Sequence, residues 1–363
     1  MTDPSSDNRP AVRLAIDAMS GDGGVTAVVD GLALARRSGV DAHVILHGRE
    51  DDLKPLVEAK GQALGAVSIV HADDIITMDD KPTGALRRGR NSSMWSAIAA
   101  VKAREADAVI SAGNTGALMA MSKLQLRMIE GVDRPAITAV WPTRTGRSVV
   151  LDVGANVEVN AKQLVQFAIM GEAYFRALTG EAKPKVGLLN VGAEEQKGHE
   201  LIRLAATTLR EAETGMNFRG FVEGDDIGKG VVDVIVTDGF TGNIALKTAE
   251  GTARQMGTWL KESLTENLLS KLGALLLMGS LKKLRARMNA SNFNGAPLLG
   301  LNGIVIKSHG SADAEGMCSA IRVAENLAKH PFQDEIARTV DEVETRTAER
   351  VAREEAALSA VAE

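Results

Sequence analysis

Short, predominantly apolar runs alternate with longer amphipathic stretches along most of the chain. Leu14–Ile16, Val44–His47, Val67–His71, Asp107–Ser111, Val186–Val191, Val234–Val236 and Ile304–Ile306 are bounded by glycine or polar residues. Runs of this length without polar alternation predict strands buried on both faces, as in parallel sheets. Between them, apolar residues at helical spacing predict helices from the 17–24 turn to about Arg37 and over 52–59, 93–104, 115–130, 160–178, 199–213 and 313–329. Residues 137–141 and 148–153, around Thr143-Arg144-Thr145-Gly146-Arg147, predict an antiparallel hairpin. Met78–Gly84 reads as a loop, Pro297–Gly300 as a turn, and Asp22 as the cap of the first helix. The alternation predicts an α/β fold: a doubly wound, mostly parallel mixed sheet flanked by helices in an α/β/α sandwich. Residues 1–10 are expected to form a disordered tail. No linker is evident, so 11–330 reads as a single α/β domain, followed by a charged helix over 331–363.

One stretch breaks the pattern. Between about 254 and 290, Trp259, Leu260, Leu264, Leu268, Leu269, Leu272, Leu275, Leu276, Leu277, Met278, Leu281, Leu284 and Met288 follow helical spacing. From Lys271 to Arg287 there are five basic residues and no acidic one. The apolar centre, Leu272–Leu281, is too short to span a bilayer. The segment predicts a protruding amphipathic helical hairpin. Periodicity alone favours packing in a core or dimer interface over contact with an anionic membrane surface.

Composition narrows the function classes. Aromatics are only 3%, which removes the stacking platforms of nucleic-acid binders, and the net charge of −5 has the wrong sign for them. The single cysteine, Cys318, excludes an intramolecular disulfide and has no neighbouring His or basic cluster to activate it. The six histidines never fall at metal-ligand spacing, so neither a metal nor a cofactor is expected. With no signal-like segment and no spanning run, a cytoplasmic location is expected.

Candidate chemistry collects where strands end, the usual ligand crevice of open α/β sheets. The stretch 233–247 runs strand, Thr237-Asp238-Gly239 turn, then a helix opening at Thr241-Gly242-Asn243. Residues 107–118 repeat it: Ser111 matches Thr237, Gly113 matches Gly239, Thr115 matches Thr241 and Gly116 matches Gly242, without a gap. Such strand–turn–helix junctions present N–H groups and a positive helix end to an anion. Two of them suggest two lips of one polar cleft. Asp17, Asn114, Asn156, Asn190, Lys197, Asp238, Asn243 and His309 also fall at strand ends. The set is rich in amides and poor in bases, with no nucleophile elbow, Cys–His pair or Walker A lysine. It suits a reaction helped by hydrogen bonds and charge rather than by a protein nucleophile.

Asp17-Ala18-Met19, Ser111 to Ala117, Leu151 to Asn156, Leu189 to Gly192 with Glu195, Lys197 and Gly198, Gly220 to Gly224, Thr237 to Asn243, and Ser308-His309-Gly310 closely resemble the bacterial acyl-carrier-protein:phosphate acyltransferases of phospholipid synthesis, the PlsX family. The likeness runs from about residue 13 to 330. It departs from the family's glycine-rich first turn at Ser20 and Val25. The resemblance implies a fold related to phosphotransacetylases and isopropylmalate dehydrogenases. It implies reversible transfer of a fatty acyl group from acyl carrier protein to inorganic phosphate. The acyl phosphate then passes to a membrane glycerol-3-phosphate acyltransferase. A homodimer peripheral to the inner face of the cell membrane is implied as well. Lys197 and Asn243 become the first catalytic candidates, with His309 and Asp238 behind them. Asp17, Ser111, Gly113, Asn114, Thr115, Gly116, Asn156, Asn190, Gly239, Thr241 and Gly242 become the phosphate- or substrate-binding set. Lys282, Lys283, Arg285 and Arg287 become the carrier or membrane contact, with Arg87, Arg88 and Arg90 a rival carrier site. The alternatives are an acyl-CoA phosphotransacetylase and a non-enzymatic membrane scaffold.

Overall fold

The computed structural model describes residues 12–212, 215–282, 294–330 and 332–361. The expected tail over 1–10 and the basic residues Lys283, Arg285 and Arg287 lie outside them. The strands are β1 (Val12–Asp17), β2 (Ala42–Gly48), β3 (Val67–His71), β4 (Ala108–Ser111), β5 (Ala136–Pro142), β6 (Arg147–Leu151), β7 (Lys185–Leu189), β8 (Asn217–Val222), β9 (Val234–Val236), β10 (Ala296–Leu299) and β11 (Ile304–Lys307). The helices are α1 (Gly24–Arg37), α2 (Glu50–Lys60), α3 (Pro82–Arg88), α4 (Ser93–Lys102), α5 (Thr115–Leu126), α6 (Ala161–Thr179), α7 (Glu200–Glu211), α8 (Asp226–Lys229), α9 (Gly239–Thr265), α10 (Leu268–Leu276), α11 (Ala314–Lys329) and α12 (Gln333–Val361). Among the described residues no helix is long and apolar enough to cross a membrane.

The chain divides into two compact units. The first runs to Arg127 and includes Gly303–His330; the second takes Met128–Asn302 and the chain after His330. The crossings fall at ordinary turns, which is why no compositional linker marks them. In the first unit the strand order is β3-β2-β1-β4-β11, all parallel. Register places Asp17, Ser111 and Lys307 side by side at the carboxyl ends of β1, β4 and β11. In the second unit the order is β10-β5-β6-β9-β7-β8. The β5–β6 hairpin is antiparallel, as its sequence predicts, and β6, β9, β7 and β8 are parallel. Both sheets are α/β, with buried Val, Ile, Leu and Ala forming the contact with their helices.

Three local readings change. Pro297-Leu298-Leu299 belongs to β10, paired antiparallel with β5 through Leu298 and Leu299. Pro297 has no N–H to give a ladder, but its carbonyl accepts the Thr138 hydroxyl at 3.4 Å. Pro82 opens helix α3 rather than continuing a loop, since its missing N–H costs nothing at a helix start. Asp22 does not cap α1: Gly23 occupies that position, and the Asp22 N–H donates to the Gly310 carbonyl at 2.7 Å.

The charged C-terminal helix is part of the second unit. Phe332, Ile336, Val340 and Val343 are buried, and α12 packs on α6. Arg176–Glu335, Lys162–Glu344 and Arg350–Glu211 ion pairs flank that apolar stripe. Ile336 is fully buried, so Ile336→Ala is expected to destabilise the protein by about 2–4 kcal/mol in urea denaturation. A helix that merely hung in solvent would show almost no change.

Candidate active site

The first unit gathers its candidate residues where three parallel strands end. Asp17 is buried, and its carboxylate accepts the hydroxyls of Ser93 at 2.6 Å and Ser111 at 2.7 Å. Ser20 stands 3.3 Å from the Ser111 hydroxyl and adds a polar group to this network. The Gly113 N–H donates to Ser111 Oγ at 3.1 Å, which closes the turn. Asn114 caps α5, its Oδ1 accepting from Ala117 N–H at 3.0 Å. The Asn114 amide also donates to the carbonyls of Met78 at 2.8 Å and Asp80 at 3.0 Å, tying the 77–80 loop to the helix start. Both ends of that side chain thereby help to fix the turn. The N–H groups of Thr115 and Gly116 follow the cap, at the position where a helix leaves its donors open.

Lys307 was absent from the sequence candidates, yet it lies beneath this turn. It is 8% exposed, and its ammonium donates to the carbonyls of Ala112, at 3.4 Å, and Ser308. Burial pulls it down from its ordinary 10.5 to about 8, with the Asp17 carboxylate opposing. A lysine closing an apolar strand reads as a solvated end; only the register between β4 and β11 reveals it. His309, just beyond, is exposed. Its Nδ1 accepts the Ser311 N–H at 3.2 Å and pairs with the Ser311 hydroxyl at 2.8 Å.

In the second unit, three adjacent parallel strands, β6, β9 and β7, end in the segments 152–156, 237–243 and 190–198. Asp152 organises the first. It is fully buried, and its carboxylate accepts N–H groups of Ile137 (3.0 Å), Gly154 (3.2 Å), Ala155 (3.0 Å) and Asn156 (2.6 Å), plus the Asn156 amide (2.9 Å). Burial pushes its carboxyl up, and these donors pull it back. The Asn156 amide also donates to the Pro135 carbonyl.

The knot reaches α9. Gly239 N–H donates to the Asn156 carbonyl at 2.7 Å, and a β-carbon on Gly242 would stand 2.0 Å from the Asp152 carbonyl oxygen. Only glycine permits that approach. Asp238 is the N-cap of α9: its two carboxylate oxygens accept the Thr241 N–H at 2.8 Å and hydroxyl at 2.7 Å. The N–H groups of Gly239 and Thr241 are therefore spent internally. Matching sequence with 113–116 does not carry matching availability of donors. Asn243 is exposed on the first turn of α9, beside Gly154.

Asn190 fixes the third segment. It is buried, and its amide donates to the carbonyls of Gly192 at 3.2 Å and Lys197 at 3.1 Å. Gly198 follows at φ +84°, and a β-carbon there would overlap the Asn190 side chain at 1.9 Å. Lys197 is held by its backbone while its side chain stays exposed, with its ammonium 3.1 Å from the exposed Glu194 carboxylate.

Among the remaining candidates, the arginines belong to a segment that packs on α5, with Pro82 of α3 against Gly116. Lys282 is exposed beyond α10. Arg87, Arg88 and Arg90 are exposed on and after α3, with the Arg90 guanidinium 6.0 Å from the Trp95 ring centroid. The hairpin itself is helical, and it exposes Met256, Trp259, Leu268, Leu269, Leu275 and Leu276.

Residues 12–335 match the family model described as "Fatty acid synthesis protein". The chain is 54% identical over 327 residues to the phosphate acyltransferase of Caulobacter vibrioides, covering 90% of this chain and 91% of that protein. It is 53% identical over 331 residues to the phosphate acyltransferase of Maricaulis maris, covering 90% and 94%. Among solved structures, a phosphotransacetylase from Streptococcus pyogenes shares the fold at TM-score 0.60 and 16% identity, covering 88% of this chain and 94% of its own. At that identity the likeness concerns fold alone. With identity above half over nine-tenths of both chains, the protein belongs to the phosphate acyltransferase family of lipid biosynthesis and is a transferase.

Proposed function

We propose that the enzyme transfers a fatty acyl group from acyl carrier protein to inorganic phosphate, reversibly, and yields an acyl phosphate for phospholipid synthesis. A phosphate oxygen attacks the thioester carbonyl carbon, a tetrahedral oxyanion forms, and its collapse breaks the C–S bond and releases the carrier thiolate. No acyl-enzyme is needed. The observation that carries the reading is the α5 junction. There the Thr115 and Gly116 N–H groups follow a capped turn, and the Asp17 charge behind it is met by two serine hydroxyls and Lys307. The serines nearest this turn are engaged with Asp17 rather than poised as nucleophiles.

The reaction also has to stabilise the oxyanion. Lys197 exchanges Glu194 for the developing negative charge, and Asn243 orients the reacting group through its amide. Asp238 supports Asn243 by capping α9, and His309 is a further catalytic candidate. The reading has a homodimer at the inner face of the cell membrane, passing its product to a membrane glycerol-3-phosphate acyltransferase. The apolar hairpin supports this, because so much exposed leucine asks for a lipid or protein cover. Lys282, Lys283, Arg285 and Arg287 would meet anionic lipid or the acidic carrier.

The phosphotransacetylase fold keeps one alternative in play, an acyl-CoA donor. Supplying the same acyl chain on carrier protein and on coenzyme A separates the two. The carrier thioester is expected to give the higher kcat/KM; a strong preference for the CoA thioester contradicts the proposal.

A further inference from the structure

Lys307 stands where the chemistry needs a cation and where the fold makes one costly. It ends β11 level with Ser111 of β4, which is itself level with Asp17 of β1. A buried ammonium is unfavourable unless its donors are met and its charge is used. Two of its donors reach the carbonyls that terminate β4 and β11, those of Ala112 and Ser308. The Ala112 carbonyl belongs to the turn whose next residue, Gly113, bonds back to Ser111. Lys307 thus holds that turn from beneath, while α5 starts directly above it in sequence at Thr115.

We infer that Lys307 is a positioning residue for phosphate: its buried ammonium fixes the 111–116 turn through the Ala112 carbonyl and supplies the positive charge that draws the anion to the open N–H groups of α5. This rests on the phosphate site proposed above. It adds what the motif lacked, a cation. A helix start alone contributes partial charge, and the nearby Asp17 carboxylate would cancel it. With Lys307 in place, Asp17 is balanced and the turn presents a net attraction. Among the described residues, Asp17 is the charged group that acts on Lys307. Its field favours the ammonium, while burial opposes it and sets the titration at about 8. The ammonium is therefore present below that pH and lost above it. Phosphate attraction should be strong below and weaken above.

The test uses the full-length enzyme with acyl carrier thioester and varied inorganic phosphate, from about pH 7 to about pH 9. For the wild type, the phosphate KM is expected to rise as pH passes about 8. Lys307→Met should raise the phosphate KM at neutral pH by on the order of 10-fold or more, leave the carrier-thioester KM unchanged, and lose the step near pH 8. Lys307→Arg, which stays charged throughout, should recover much of the affinity and show no such step. Phosphate's own ionisation affects all three enzymes alike, so the contrast between them isolates the side chain. A phosphate KM in Lys307→Met equal to wild type, or one pH profile shared by wild type and Lys307→Arg, overturns the inference. Should Lys307→Met not fold, the wild-type and Lys307→Arg profiles decide the matter. Formation of acyl phosphate with no Lys307 effect sinks only this inference; absence of acyl phosphate in the wild type sinks the functional reading with it.

Discussion

Lys197→Ala is expected to lower phosphate-dependent thioester cleavage by on the order of 100- to 1,000-fold, the loss typical of removing one oxyanion donor. The fold should survive. The Lys197 side chain is exposed, and its Glu194 partner is as exposed as it is, so the ion pair contributes little to stability. What holds the segment is backbone: the Asn190 amide grips the Lys197 and Gly192 carbonyls, and alanine keeps both bonds. The variant should therefore match wild type in thermal unfolding and differ only in turnover. The split between kcat and KM adds detail. Loss of an interaction made only in the transition state lowers kcat with the KM values little changed. A Lys197→Ala enzyme running at full rate removes the residue from the mechanism.

Asp152→Ala should do the reverse, and acts first on the fold. One carboxylate satisfies four backbone N–H groups and one side-chain amide, in a fully buried position. Alanine leaves those donors without an acceptor. A buried donor without a partner costs about 1–3 kcal/mol, and breaking a buried charged network costs about 3–5 kcal/mol in total. Set against the roughly 5–15 kcal/mol that holds a domain together, that is a large share. Urea denaturation followed by circular dichroism should show the midpoint falling accordingly. Asp152→Asn keeps one acceptor but turns an NH2 toward other donors, so it should fall between wild type and alanine. Because Gly239 bonds to the Asn156 carbonyl and Gly242 packs on the Asp152 carbonyl, loss of the knot also frees the start of α9 and Asn243 with it. A wild-type midpoint in Asp152→Ala contradicts this account of the second unit's strand ends.

The parts of the fold that depend on neighbours in sequence were readable from it. The β9–α9 junction is an apolar strand, a capping aspartate and a helix in fifteen residues, and β4–α5 is the same with asparagine as the cap. The β5–β6 hairpin and the strand termini followed from the same local logic. The parts that depend on register were not. Lys307 is one residue past an apolar run, and nothing nearby in sequence marks it as buried; its role comes from β11 lying against β4. Asp152 stood in a recognised motif, but its donors include Ile137 on the neighbouring strand. The repeated 107–118 and 233–247 pattern does not carry over to the backbone: α5 is capped by Asn114 and opens at Thr115, whereas α9 is capped by Asp238 and opens at Gly239, two residues earlier in the matched register. In one copy the helix's first donors stay open, and in the other Gly239 and Thr241 spend theirs on Asn156 and Asp238. The division into two units was hidden for a similar reason, since the chain changes unit at short turns and returns for β11.

The central claim is that inorganic phosphate, held at the α5 junction, is the acyl acceptor. Incubating the full-length enzyme with an acyl carrier thioester, with and without phosphate, and trapping the product with hydroxylamine tests it most directly. Thiol release matched one-for-one by trapped acyl hydroxamate, and only when phosphate is present, is the predicted result. Thiol release that proceeds equally without phosphate, or that yields free fatty acid in place of acyl phosphate, would contradict it.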